Sequence, residues 1–212
     1  MSLLRVSLIF LMLIASSSTL AAVIFDNGGP NGSRGAGSDL DQGQEAADDF
    51  VLGVLGDTIT GVSWSGAYHA TNTPVANDDF TIRFYSSALP STPFLSYEVG
   101  NSVNRVDSGV DDAFWGLDIF NYSASIPVTA LTAGTTYWLS IVNNTAGASD
   151  DWLWELSGAS GQLAFRTTPT DSWNTVGGAL AFQLDGEVPI PAAAWLFGSA
   201  LLGLGALKRK KA

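Results

Sequence analysis

Hydrophobic and polar residues alternate one by one through the middle of this chain. Across residues 79–85, Phe80, Ile82 and Phe84 fall on one side while Thr81, Arg83 and Tyr85 fall on the other. Successive strand side chains point to opposite faces, so this period of two marks a half-buried strand. Residues 136–142 alternate in the same way, as do Leu163/Phe165 and Leu180/Phe182/Leu184. Further strands are expected at residues 23–26, 47–52, 58–64, 94–99, 114–122, 126–131 and 152–156, with Gly, Asn and Pro between them. Hardly any stretch carries a helical period. Short strands and frequent turns predict an all-β fold, an antiparallel β-sandwich of jelly-roll-like form. The glycine-rich residues 27–37 are expected to be a loop. They lack the lysine and the strand–helix setting of a phosphate-binding loop.

The two ends break this pattern. Arg5 opens a positively charged region, residues 8–15 are apolar, and Ser16 to Ala21 are mostly small. That order is a secretory signal peptide, residues 1–22, with cleavage expected after Ala21 or Ala22. At the other end, residues 192–207 carry no charge and would form a helix of about 24 Å. Counted from Val188 the helix reaches about 30 Å, enough to cross a hydrocarbon core. Lys208, Arg209, Lys210 and Lys211 follow as a basic stop expected to stay cytoplasmic, which leaves the preceding chain outside. Residues 23–187 are then the ectodomain, and residues 188–212 form a motif, a transmembrane helix and a tail.

The run Val188-Pro189-Ile190-Pro191, then AAAWLFGSALLGLGAL, then the basic tail, resembles the PEP-CTERM class of bacterial sorting signals in its Val-Pro-Leu-Pro-Ala-like variant. The resemblance implies recognition by an exosortase, a membrane-embedded cysteine transpeptidase that cuts near the proline motif. It also implies a Gram-negative bacterium and an association with exopolysaccharide. This chain departs from the commoner pattern in having Ile190, and no Glu, between the prolines. The likeness covers about 25 of 212 residues and implies nothing about the fold of the rest. The precursor is expected to sit in the inner membrane and the processed protein at the cell surface or outside.

Charge narrows the partners. All twenty Asp and Glu lie within residues 23–187 against four Arg and no Lys, a net charge of −16. Nucleic acid is excluded because phosphate binding needs clustered Lys and Arg, and anionic lipid surfaces fall on the same ground. With no cysteine there is neither a disulfide framework nor a thiolate nucleophile.

Acidic residues gather in tight groups. Asp26 with Asp48 and Asp49, or Asp78 with Asp79, are the candidate ligands for Ca²⁺, which takes hard oxygen donors. Asp is equally a residue that turns select. Trp152 and Trp154, two apart, share one face of a strand with Glu155 on the other. They either stack on sugar rings or fill the core. The lone histidine, His69, has no Gly-x-Ser-x-Gly elbow to serve. No catalytic motif emerges, and the chain is expected not to be an enzyme. The expected role is structural or adhesive, in a matrix built with exopolysaccharide. A calcium-dependent, lectin-like carbohydrate-binding module is the alternative, and a glycan-degrading enzyme the third reading.

Overall fold

The structure is a computed structural model that describes residues 19–53 and 57–189, with side chains from residue 22 to residue 188. Ala21–Val188 fold as one unit. Most of the expected signal peptide, Ile190 and Pro191 of the sorting motif, the C-terminal helix and the basic tail lie outside the described residues.

Among the described residues there is no helix, and thirteen strands form two sheets. In chain order the strands are β1 (Thr19–Asp26), β2 (Pro30–Gly37), β3 (Glu45–Val51), β4 (Thr58–His69), β5 (Phe80–Ser86), β6 (Leu95–Gly100) and β7 (Asn104–Asp111). They continue with β8 (Asp118–Ala130), β9 (Thr136–Val142), β10 (Asp151–Ser157), β11 (Gln162–Arg166), β12 (Asn174–Gly177) and β13 (Phe182–Pro189). One sheet runs β12-β11-β3-β9-β5-β6. The other runs β1-β13-β4-β10-β2, with β8 on β4 and β7 on β8.

The twelve-residue β4 organises the second sheet. One of its edges pairs with β8. The other is divided between two partners: β13 takes Ile59 to Trp64, and β10 takes Gly66 to His69. The handover is the Ser65 N–H, which donates to the carbonyl of Ala181 at 3.3 Å.

The two sheets meet face to face through rings. Phe80 on β5 enters a group made by Trp64, Tyr122 and Trp152, with centroids 5.1, 5.0 and 5.0 Å away. Phe50 on β3 approaches Phe182 on β13 at 6.4 Å, edge to face. Such pairs contribute about 0.5–1.5 kcal/mol beyond the burial of their area. Aliphatic residues fill the remainder, among them Ile59, Val62, Ile82, Leu139, Ile141 and Leu184, all fully buried. The alternation in β5 separates the two faces as expected, but neither β5 nor β9 is half-buried. Tyr85, Trp138 and Ser140 on the opposite face are buried as well, Tyr85 and Trp138 in a second cluster with Ala47 and Ala164.

One glycine is required by this packing. A Cβ on Gly66 would lie 2.4 Å from Cζ2 of Trp152, so the indole lies flat on bare backbone.

Three local expectations are corrected. Residues 30–37 form a strand and not a loop. β2 is an edge strand paired only with β10. Its composition carries no apolar signal because it approaches its partner too closely for side chains: a Cβ on Gly35 would meet the Leu153 Cβ at 2.7 Å. The strands expected at residues 114–122 and 126–131 are a single strand, β8, which starts at Asp118. Residues 114 and 115 stay in a turn because both backbone N–H groups donate to Oδ1 of Asp112. Pro127 does not break β8, since it lies in a register shift where Thr129 pairs with Ile59 and Ser125 with Gly61. A missing N–H costs little at such a bulge.

Two substitutions test the ring packing. Phe80→Ala is expected to lower stability by about 3–5 kcal/mol. Gly66→Ala is expected to cost about 1–3 kcal/mol by displacing Trp152. Urea unfolding midpoints measure both, and a neutral Gly66→Ala would contradict the close approach.

Candidate functional site

The tandem tryptophans are the first candidates to be corrected. Trp152 and Trp154 are both fully buried. Trp154 donates from Nε1 to the carbonyl of Ala181 at 3.0 Å and packs on Phe182. Their shared face is the one that meets the other sheet, so neither ring is available to stack on a sugar. Exposed rings lie elsewhere, among them Phe114 and Trp115, 65% and 42% accessible, in the turn that Asp112 holds, with Phe94 and Phe165 also exposed. His69 packs its ring on Trp115 at 5.0 Å.

The five candidate metal carboxylates do not come together. Asp26 is exposed and caps its own turn, accepting from the Gly28 N–H at 2.8 Å. Asp48 and Asp49, adjacent on β3, point to opposite faces. Asp48 faces the core and accepts from Asn27 Nδ2 at 2.8 Å and from the Leu180 N–H. Asp49 faces outward and accepts from the Gln162 N–H. Asp78 is buried and committed to Tyr68, Arg105 and Asn143. Asp79 is exposed and bonds Asn144. Among the described residues, no group of three or more His, Asp or Glu side chains is arranged to hold a metal ion.

Several acidic side chains instead bind the loops to the sheets. Glu45 lies on the outer face of β3, where Arg166 and Arg83 both reach its Oε2 and Tyr85 and Ser140 donate to its Oε1. Burial pushes its carboxyl up, but Arg83, with hydrogen bonds from Arg166 and Ser140, holds it below the usual range. Trp173 covers the Arg166 guanidinium at 4.5 Å. Asp150 gathers the N–H groups of Thr71 and Thr73, and Asp39 receives Thr145 and the Trp152 N–H.

Glu155 differs. It is fully buried, and neither carboxylate oxygen has a hydrogen-bond partner. Burial, together with the nearby Asp112, pushes it up to about 7. Asp48, also buried, is pushed up to about 8 by burial and the neighbouring Asp49.

Sequence reasoning passed over the outer face of the sheet centred on β4. On β4 and β8 the positions flanking Trp64 and Tyr122 are the uncharged Ser63, Ser65, Asn121 and Ser123, and the pairing aligns them into rows with Gln183 and the charged Asp185 of β13. Gln183, Ser63, Ser123 and Asn104 form one row across β13, β4, β8 and β7. Ser65, Asn121 and Val106 lie to one side of it, and Asp185, Gly61 and Ser125 to the other. Ser65 donates to Oδ1 of Asn121 at 2.8 Å. Over these rows runs a depression of about 350 Å³ without a charged side chain in its lining. A second, of about 470 Å³, shares Asn104 and Ser123 with it and adds Asp185. The signal that could have found them is the run of Ser and Asn opposite the aromatic positions of β4 and β8.

Comparison with family models, curated proteins and solved structures finds no match for this chain.

The buried carboxyls dictate a pH dependence. In the unfolded chain Glu155 loses its proton near its ordinary value of 4.5, whereas the folded protein keeps it to about 7. Between those values the folded state binds more protons, so stability must fall as pH rises. For Glu155 the loss is about 3 kcal/mol, complete above pH ~7, and Asp48 extends the decline toward pH 8. Urea unfolding at pH 5, 6, 7 and 8 is expected to give a descending series, flatter in Glu155→Gln. A rise from pH 5 to pH 8 would mean that these carboxyls are not held neutral.

Proposed function

We propose that the protein is an exported bacterial surface or extracellular-matrix protein with a structural or adhesive role beside exopolysaccharide, and not an enzyme. In this reading a signal peptide takes it across the inner membrane and the C-terminal helix holds the precursor there. Its jelly-roll-like ectodomain stands outside the cytoplasm. An exosortase-type enzyme then cuts near Val188-Pro189-Ile190-Pro191.

The observation that carries the reading is the order of parts at the C-terminus: proline motif, uncharged segment, basic stop. The last strand among the described residues, β13, ends at Pro189, so Val188 and Pro189 of the motif are the final residues of that strand. A net charge of −16 over residues 23–187, with no lysine, favours solubility and weighs against nucleic acid and anionic lipid as partners. The non-catalytic part draws on the duties of the acidic side chains. Glu45 and Asp78 neutralise arginines, and Asp39 and Asp150 clamp loops, which leaves them unsuited to acid–base work on a substrate.

Processing is testable in the native host. Replacing Pro189 and Pro191 by Ala, or deleting residues 208–211, is expected to leave a full-length, membrane-held precursor on immunoblots of fractionated cells. Unaltered processing in both variants would overturn the sorting reading.

A further inference from the structure

We infer that the trough on the outer face of the β4 sheet binds a neutral polysaccharide chain, with its hydroxyl groups held by the Ser63, Ser123, Asn121, Asn104 and Gln183 side chains. The inference rests on the matrix reading above and names the partner's chemistry.

The donor and acceptor character of the lining comes first. A serine hydroxyl donates one hydrogen bond and accepts others, and an Asn or Gln amide offers both functions side by side. A sugar hydroxyl likewise donates and accepts, so each of these side chains can meet one without a charge being buried. Anionic groups would find no partner here, because the first depression is lined by no Lys, Arg or His. Where the trough continues, Asp185 would repel them. In a domain of net charge −16, a wholly uncharged depression selects for an uncharged ligand.

Shape comes second. The solvated face of a sheet is normally covered by long charged side chains, yet the central positions here are Gly61, Ser63, Ser65 and Ser123. Short side chains on β4 and β8 keep the floor low, and Gly61 contributes none at all. The row from Gln183 to Asn104 crosses four strands, three inter-strand steps of about 4.8 Å, roughly 14 Å in all. The two depressions share Asn104 and Ser123 and therefore form one trough, which suits an extended chain more than a compact small molecule. Val106, more than half exposed beside Asn121, offers an apolar surface to the C–H face of a sugar ring. Trp152 and Trp154 take no part, so the trough owes its selectivity to polar groups.

The test is affinity electrophoresis of the full chain, purified in detergent, through native gels that contain dextran, galactomannan or alginate. Retardation by at least one of the two neutral polymers and not by the polyanion alginate is expected. Asn121→Ala/Gln183→Ala should weaken retardation by about tenfold or more without moving the thermal unfolding midpoint. Should that variant lose stability, Asn104→Ala/Gln183→Ala, altered at the two ends of the row, serves in its place. Retardation that survives in a folded variant would overturn the site. Retardation by alginate alone would overturn the charge argument. No retardation by any of the three would overturn the inference while leaving the sorting reading to its own experiment, which scores precursor processing and not sugar binding.

Discussion

The fold depends on one ring entering a cage of three. Phe80 comes from one sheet, while Trp64, Tyr122 and Trp152 come from three different strands of the other. Those three strands, β4, β8 and β10, are held side by side because β4 serves them both. The cage closes only if the backbone of β4 lets the Trp152 indole lie against it, which is the reason for Gly66. Sheet pairing and sheet stacking are therefore not separable here. Register on β4 determines which rings reach Phe80, and Phe80 in turn fixes the sheets against each other. Interiors packed at crystal-like density have no slack to absorb an error in either.

Where apolar residues alternate with polar ones, the chain announces its strands. β5 was legible as a strand with Phe80, Ile82 and Phe84 on one face, but the burial of Tyr85 on the other face, like that of Trp138 on β9, was not. Period two cannot, however, distinguish a buried face from an exposed one when both sides carry large residues. Trp152 and Trp154 share a face in sequence and structure alike, but only the pairing of β10 with β4 turns that face inward. β2 was invisible for the opposite reason. Its glycines exist to let backbones approach, and a strand defined by absent side chains emits no hydrophobic signal. Phe114 and Trp115 mislead because apolar character does not ensure burial, and Asp112 holds both backbones in a turn.

The acidic residues teach a similar lesson about sites. Counting carboxylates along a chain says how many could meet a cation, but adjacent residues on a strand diverge, as Asp48 and Asp49 do. Most of the buried ones are matched locally to arginine, hydroxyl or backbone N–H groups, in keeping with the high cost of an unpaired buried charge. Glu155, with no partner on either oxygen, is the clearest exception, and burial favours its protonated form as it does that of Asp48. The Ser- and Asn-lined trough lay in plain view in the alternation of β4 and β8, unnoticed because serine and asparagine are so often mere solvent-facing residues.

A mechanical consequence follows from the position of β13. It lies between β1 and β4 in the sheet, and its carboxyl end is the end of the fold. A pull entering the domain there is directed along the strand and across its lateral hydrogen bonds. Bonds loaded in shear share the force and give way together, whereas bonds at a fraying edge yield one after another. Gln183, on the same strand, stands at the rim of the trough, so a strand loaded in this way is also one that frames the outer face. A pull applied at residue 189 would load a strand with a neighbour on each side and not a loop.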